Sequence, residues 1–160
     1  MRRYGAFLLA TSGFYKLAAS IGDAKDQLID FNKSMLKVAQ VTSTSYDGLS
    51  DLRSTITNLS TSLGVSSKSL AQVAVTLSQA GISAEDTTTA IKTLAKTDLA
   101  ATFGNIVNTT EGAIAVMNQF GYKADDLGRI MSQLNAVSAK YAVESEDLVT
   151  AIRKTGSSAV

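Results

Sequence analysis

"QAGISAEDTTTAIKTL", Gln79 to Leu94, returns forty residues later as "QFGYKADDLGRIMSQL", Gln119 to Leu134. Gln, Gly, Ala, Asp and Leu recur at equal spacing, with Glu85 replaced by Asp125 and Ile91 by Met131. Gly81 reads as a helix stop, because a residue without Cβ takes the left-handed conformation that closes a helix at no steric cost. Ile82 then folds back onto the helix just ended, Ser83 caps the next one, and Asp86 completes a short capping box. Gly64 and Gly104 are separated by the same forty residues. Capping chemistry alone brings back Gly and Asp, but it does not demand Gln79/Gln119 or Ala84/Ala124. The stretch therefore predicts a duplicated helical hairpin, and units of about 40 residues made of paired helices stack into arrays.

Upstream, apolar residues fall at Phe14, Leu17, Ile21, Ala24, Leu28, Phe31, Met35 and Val38, an unbroken 3-4 alternation. That spacing predicts one helix from about Ala6 to Val41 with a single apolar seam. Charged residues from Lys16 to Lys37 occupy the opposite, solvated face. The seam residues Phe14, Leu17, Ile21, Leu28, Phe31, Met35 and Val38 serve either packing on the chain's own domain or association with another chain. "TSTSY" breaks the pattern, with Ser45 as an N-cap and Asp47 in the first turn. A helix through Leu52, Ile56 and Leu63 ends at Gly64, and Ser66 or Ser67 caps the next one. Further helices are expected through Ile91 and Leu94 to a stop at Gly104, then from a box at Asn108 and Glu111 to Gly121. Two more follow, one from Asp125 and Asp126, the other from an N-cap at Ser145 to Gly156. No segment alternates with period two over a strand's length. The expected fold is all-α, with a long amphipathic helix over residues 1–43 and a helical-hairpin domain over 44–160. Its repeat units run from about 64 to 103 and from 104 to 142.

Composition narrows the chemistry. The chain has 160 residues, 45% of them hydrophobic, 18% charged, and a net charge of +1. That charge supplies no basic field to hold a phosphate backbone, so sequence-specific nucleic-acid binding is not expected. Histidine, cysteine and proline are absent. The commonest general base and metal ligand, thiolate chemistry and disulfides are thereby missing, and no proline interrupts a long helix. Arg2 and Arg3 could open a signal peptide, but the apolar run Ala6 to Ala10 is short and broken by Thr11, Ser12 and Gly13. Asp23, Asp26 and Asp30 share a helix face, as do Asp47 and Asp51, and both groups read as solvated. Glu144-Ser145 matches the catalytic Glu-Ser of lytic transglycosylases, but that family's Gly-Leu-Met-Gln segment and tyrosine motif do not follow. Ser145 reads instead as an N-cap. No catalytic residue, metal ligand or cofactor site is expected.

The ordered segments resemble the conserved helical region of phage tail tape measure proteins. The resemblance runs over roughly residues 30 to 160. It rests on the Met35–Val41 helix with its Ser/Thr-rich break, the Leu63–Ser66 joint, the Leu77–Ser83 joint, Phe120-Gly121, the Asp126-Leu127 helix start, Asn135 to Ala139, and Gly156. Thr97–Thr102 departs from the Ala/Gly-rich run of that family.

The resemblance implies a structural role without catalysis: filling the tail-tube lumen, setting tube length, and leaving ahead of the DNA into the host envelope. It implies as partners the protein itself in a small homo-oligomer, the tail tube protein, tail assembly chaperones and the host membrane. Because 160 residues reach only about 240 Å as one helix, the chain is expected to be a fragment, a domain of a longer protein, or a degraded prophage copy. Two rival readings are a non-phage helical interaction module and a membrane-active protein acting through "YGAFLLATSGFYKLAA", Tyr4 to Ala19.

Overall fold

The computed structural model of the chain describes residues 4–97 and 105–156, with side chains from residue 22 onward except at 146, 153 and 156. The helices are α1 Tyr4–Thr42, α2 Ser50–Leu63, α3 Ser67–Gln79, α4 Ala84–Thr97, α5 Ile106–Phe120, α6 Leu127–Tyr141 and α7 Ser145–Gly156. Short 3-10 turns, Asp47–Leu49 and Ala124–Asp126, lead into α2 and α6. No strand occurs among the described residues. The fold is all-α.

The joints follow from local hydrogen bonding. Gly81 has φ +85°. Its N–H donates to the Ser78 carbonyl at 3.0 Å, and the Ile82 N–H reaches the Leu77 carbonyl at 3.2 Å. Those two bonds satisfy carbonyls that the end of α3 would leave open. Gly121, φ +68°, repeats the motif, with the Tyr122 N–H on the Met117 carbonyl at 2.9 Å. The restart also recurs in altered form. Ser83 Oγ accepts from the Asp86 N–H at 3.1 Å and donates to the Asp86 carboxylate at 2.9 Å. In the second copy Asp126 itself accepts from the Lys123 N–H at 3.0 Å.

A third joint escaped the glycine spacing because its left-handed residue is a serine. Ser43 has φ +53° and stands 38 residues before Gly81. Its N–H meets the Gln40 carbonyl, and the Thr44 N–H meets the Ala39 carbonyl at 3.0 Å. Ser45 Oγ then accepts from the Gly48 N–H at 3.0 Å, as Ser83 does from Asp86. The joint that closes the first helix of a hairpin therefore recurs at Ser43, Gly81 and Gly121.

Two expected caps move. The cap of α5 is Asn105, whose side chain accepts from the Val107 and Asn108 N–H groups, so Asn108 lies inside the first turn. At α7 the Glu144 carbonyl accepts from the Leu148 N–H. Ser145 is thus already helical, and its buried hydroxyl is without a hydrogen-bond partner. The expected stop at Phe103-Gly104 lies outside the described residues.

The helices stack in two layers. In one, α1 lies on α3, α3 on α5 and α5 on α7; in the other, α2 lies on α4 and α4 on α6 and the turn before it. Helix α3 is central and buries Leu70, Ala71, Val73, Ala74, Val75, Leu77 and Ser78. At 100° per residue these cover an arc of about 200°, as a helix flanked on both sides requires. Equivalent positions keep their register: Ile91 and Met131 are buried, as are Thr87 and Leu127, and Leu94 and Leu134. Each large apolar side chain so buried contributes about 1.5–3 kcal/mol.

Candidate functional site

The residues of the α1 seam do not share one environment. Phe14, Leu17 and Ile21 lie outside the residues whose side chains are described. Phe31, Met35 and Val38 are buried in the core, where the end of α1 runs along α3. Leu28 is 60% exposed. Residues 22–29 are exposed throughout, and Ala24, Gln27 and Leu28 share a shallow cleft with Thr57, Ser60 and Thr61 of α2.

Polar contacts link this part of α1 to its neighbours. Lys68, in the first turn of α3, reaches the Asp30 carboxylate at 2.7 Å. That hydrogen bond, helped by the charge, holds the Asp30 carboxyl below its ordinary range and raises the Lys68 ammonium. The Tyr46 hydroxyl donates to Asn32 Oδ1 at 2.8 Å, and the Arg53 guanidinium lies 4.3 Å from the centre of the Tyr46 ring. The chain around the first joint is thereby tied to both α1 and α2.

At the opposite end, α5, α6 and α7 enclose an open groove of about 410 Å³. Val116, Phe120, Leu134, Val137, Leu148 and Ile152 give it an apolar wall. The periodicity placed Phe120 and Leu148 on their helices, but it gave no sign that they would line one groove. Nearby, Arg129 lies over the Tyr122 ring at 4.9 Å and donates to Asp126 at 3.2 Å.

The serines and threonines that crowd the chain turn much of their hydrogen-bonding capacity inward. Thr42, Thr57, Thr61, Thr76, Thr88 and Thr110 each donate to the carbonyl four residues back. Asp23, Asp26, Asp47 and Asp51 are exposed, and Asp30 is engaged with Lys68. Among the described residues, no group of three carboxylates converges on a point where a metal ion could be held. What the geometry offers is surface: a partly exposed helix at one end and an apolar groove at the other.

The sequence profile of the phage-related minor tail protein family matches residues 53–160, from the first turns of α2 through the two later hairpins and α7. The chain belongs to the phage-related minor tail protein family. No curated protein and no solved structure matches it. The family gives this minor tail protein a structural role in the phage tail and places it in the virion. The matched span contains the joints at Gly81 and Gly121, while α1 precedes it. Among the described residues no helix is long and apolar enough to cross a membrane.

Proposed function

We propose that this minor tail protein is part of a tail tape measure protein, lying in the tail lumen during assembly and setting tube length. The carrying observation is its membership of a minor tail family together with an architecture that lengthens by adding units. Its role is structural rather than catalytic. Its partners are further copies of itself, the tail tube protein and the assembly chaperones that keep an apolar helical chain from aggregating in the host cytoplasm. At DNA ejection it leaves the tube ahead of the genome and enters the host envelope. The seam of α1 supports this reading as a surface for self-association, since Leu28 within it is exposed.

The test is an in-frame duplication of residues 81–120 in the gene as the phage carries it, with tails measured by electron microscopy. If the unit lies in the tube as extended helix, each copy lengthens the tail by about 60 Å, forty residues at 1.5 Å. Tails of unchanged length from particles that contain the lengthened protein would rule out the tape measure role.

A further inference from the structure

The layer formed by α2, α4 and α6 is polar at its first edge and apolar at its last. Asp51 and Leu52 of α2 share a cleft with Ala84 and Thr88 of α4. The side of α2 turned away from α4 carries Ser54, Thr57 and Thr61, all exposed. That is the outer face a terminal unit of a helical array needs. On α6, Gly128 marks the side towards α4, since a Cβ added there would sit 4.0 Å from the Thr93 methyl. Val137 lies about 180° round the helix from Gly128. There Ile130, Leu134 and Val137 line the groove with Phe120 of α5 and Ile152 of α7. Val137 is 41% exposed and Phe120 56%, so this edge lacks the polar finish of the other.

The repeat says what belongs at such an edge. Helix α6 is the second of its hairpin and rests against α4 and α5. Helix α7 rests on α5 as α5 does on α3, so α7 is the first helix of a fourth unit. The angle between α6 and α7 is where the second helix of that unit would lie. Thr93, beside α6, is half-buried, whereas its equivalent Gln133 is exposed.

The sequence also spells the start of such a helix. Gly81-Ile82-Ser83-Ala84 and Gly121-Tyr122-Lys123-Ala124 are the joints that lead into α4 and α6. Gly156-Ser157-Ser158-Ala159 repeats their order, with Ser158 in the place of Ser83, which caps α4. In both earlier units the third, sixth, seventh and tenth residues after the alanine are buried, from Thr87 to Leu94 and from Leu127 to Leu134.

We propose that the groove between α5, α6 and α7 is the seat of a helix that Ser158 caps and that the residues following Val160 in the full protein continue. It packs on α6 as α6 packs on α4. A second copy fits the groove poorly, because its own first edge on α2 is polar and a second groove is concave like the first. The proposal rests on the chain's being part of a longer protein, and not on that protein's setting tube length.

The test compares the chain of 160 residues with one extended by about twenty of the residues its gene encodes next, enough for one helix of ordinary length. The added sequence is expected to be apolar at the third, sixth, seventh and tenth positions after Ala159. The extended chain is expected to have the higher urea midpoint, followed by circular dichroism. Val137→Asp distinguishes a seated helix from one merely attached. Val137 is exposed in the shorter chain, so the substitution should leave that midpoint nearly unchanged, yet it should lower the midpoint of the extended chain. An added sequence without the apolar pattern, equal midpoints for the two native chains, or the same Val137→Asp shift in both would overturn the proposal and leave the tail-length experiment untouched. A reading frame that ends at Val160 would overturn it together with the reading of the chain as part of a longer protein.

Discussion

Gly112 on α5 faces Val149 on α7 so closely that an added Cβ would fall 1.8 Å from Val149 Cγ1. Val149 is itself buried, so the clash cannot be relieved by swinging a flexible end into solvent. Gly112→Ala is expected to cost about 1–3 kcal/mol, the usual penalty of overpacking. A lowered urea midpoint reads this out, and Val149→Ala in the same background should recover part of the loss through the coupling of two residues in contact. Thr87 shows the opposite kind of misfit. Its hydroxyl is buried without a hydrogen-bond partner, while the equivalent positions, 38 residues earlier and forty later, are Leu49 and Leu127. Thr87→Val keeps the shape and removes the stranded group, so it should raise stability by about 1 kcal/mol. A fall in the thermal midpoint would show that the hydroxyl is doing something the other two units do without.

At the scale of the element, stability is concentrated at the joints. Ser43 and Ala142 hold left-handed conformations, φ +53° and +52°, where Gly64, Gly81 and Gly121 have none of the Cβ strain. Ser43→Gly and Ala142→Gly are each expected to stabilise by about 1 kcal/mol, seen as a higher thermal midpoint with unchanged helicity. The start of α6 brings a pH dependence. Asp126 accepts from the Lys123 backbone N–H and from Arg129, and these bonds, in that order of weight, lower its carboxyl from the ordinary 3.8. A carboxyl depressed in the folded state contributes its stability above the unfolded value and loses it as pH falls through the folded value. Asp126→Asn should therefore be less stable than the native chain at neutral pH, and the difference should shrink on acidification below the carboxylate range. Asp30, lowered by Lys68, titrates in the same direction but is present in both proteins and cancels. A gap between the two denaturation midpoints that stayed constant down to low pH would contradict this account.

At the scale of the whole molecule, the duplicated hairpin, the long first helix and the absence of strands among the described residues were all legible, because glycine stops and 3-4 spacing are local signals. The joint at Ser43 was not, since serine at a left-handed position carries no compositional mark. Asn105 lost the role of cap to Asn108 in the sequence reading because two asparagines three residues apart offer the same chemistry. The candidate surfaces were half legible. Leu28 and Phe31 belong to one seam by spacing, yet only the path of α3 puts Phe31 in the core and leaves Leu28 outside. The groove depends on the meeting of three helices, which no periodicity within one helix records. Gly112 in the middle of α5 was the available clue that two helices come close.

The two-layer arrangement, in which each helix meets mainly its neighbours along the stack, also determines how the molecule responds to being pulled. A fold closed by contacts between its two ends resists tension until everything gives way together. This one has its links in series, and force applied at the ends should open it hairpin by hairpin. Each unit of forty residues would release a contour length of about 140 Å at 3.5 Å per residue. Such a protein can be drawn out into a narrow thread through a succession of small barriers instead of one large one.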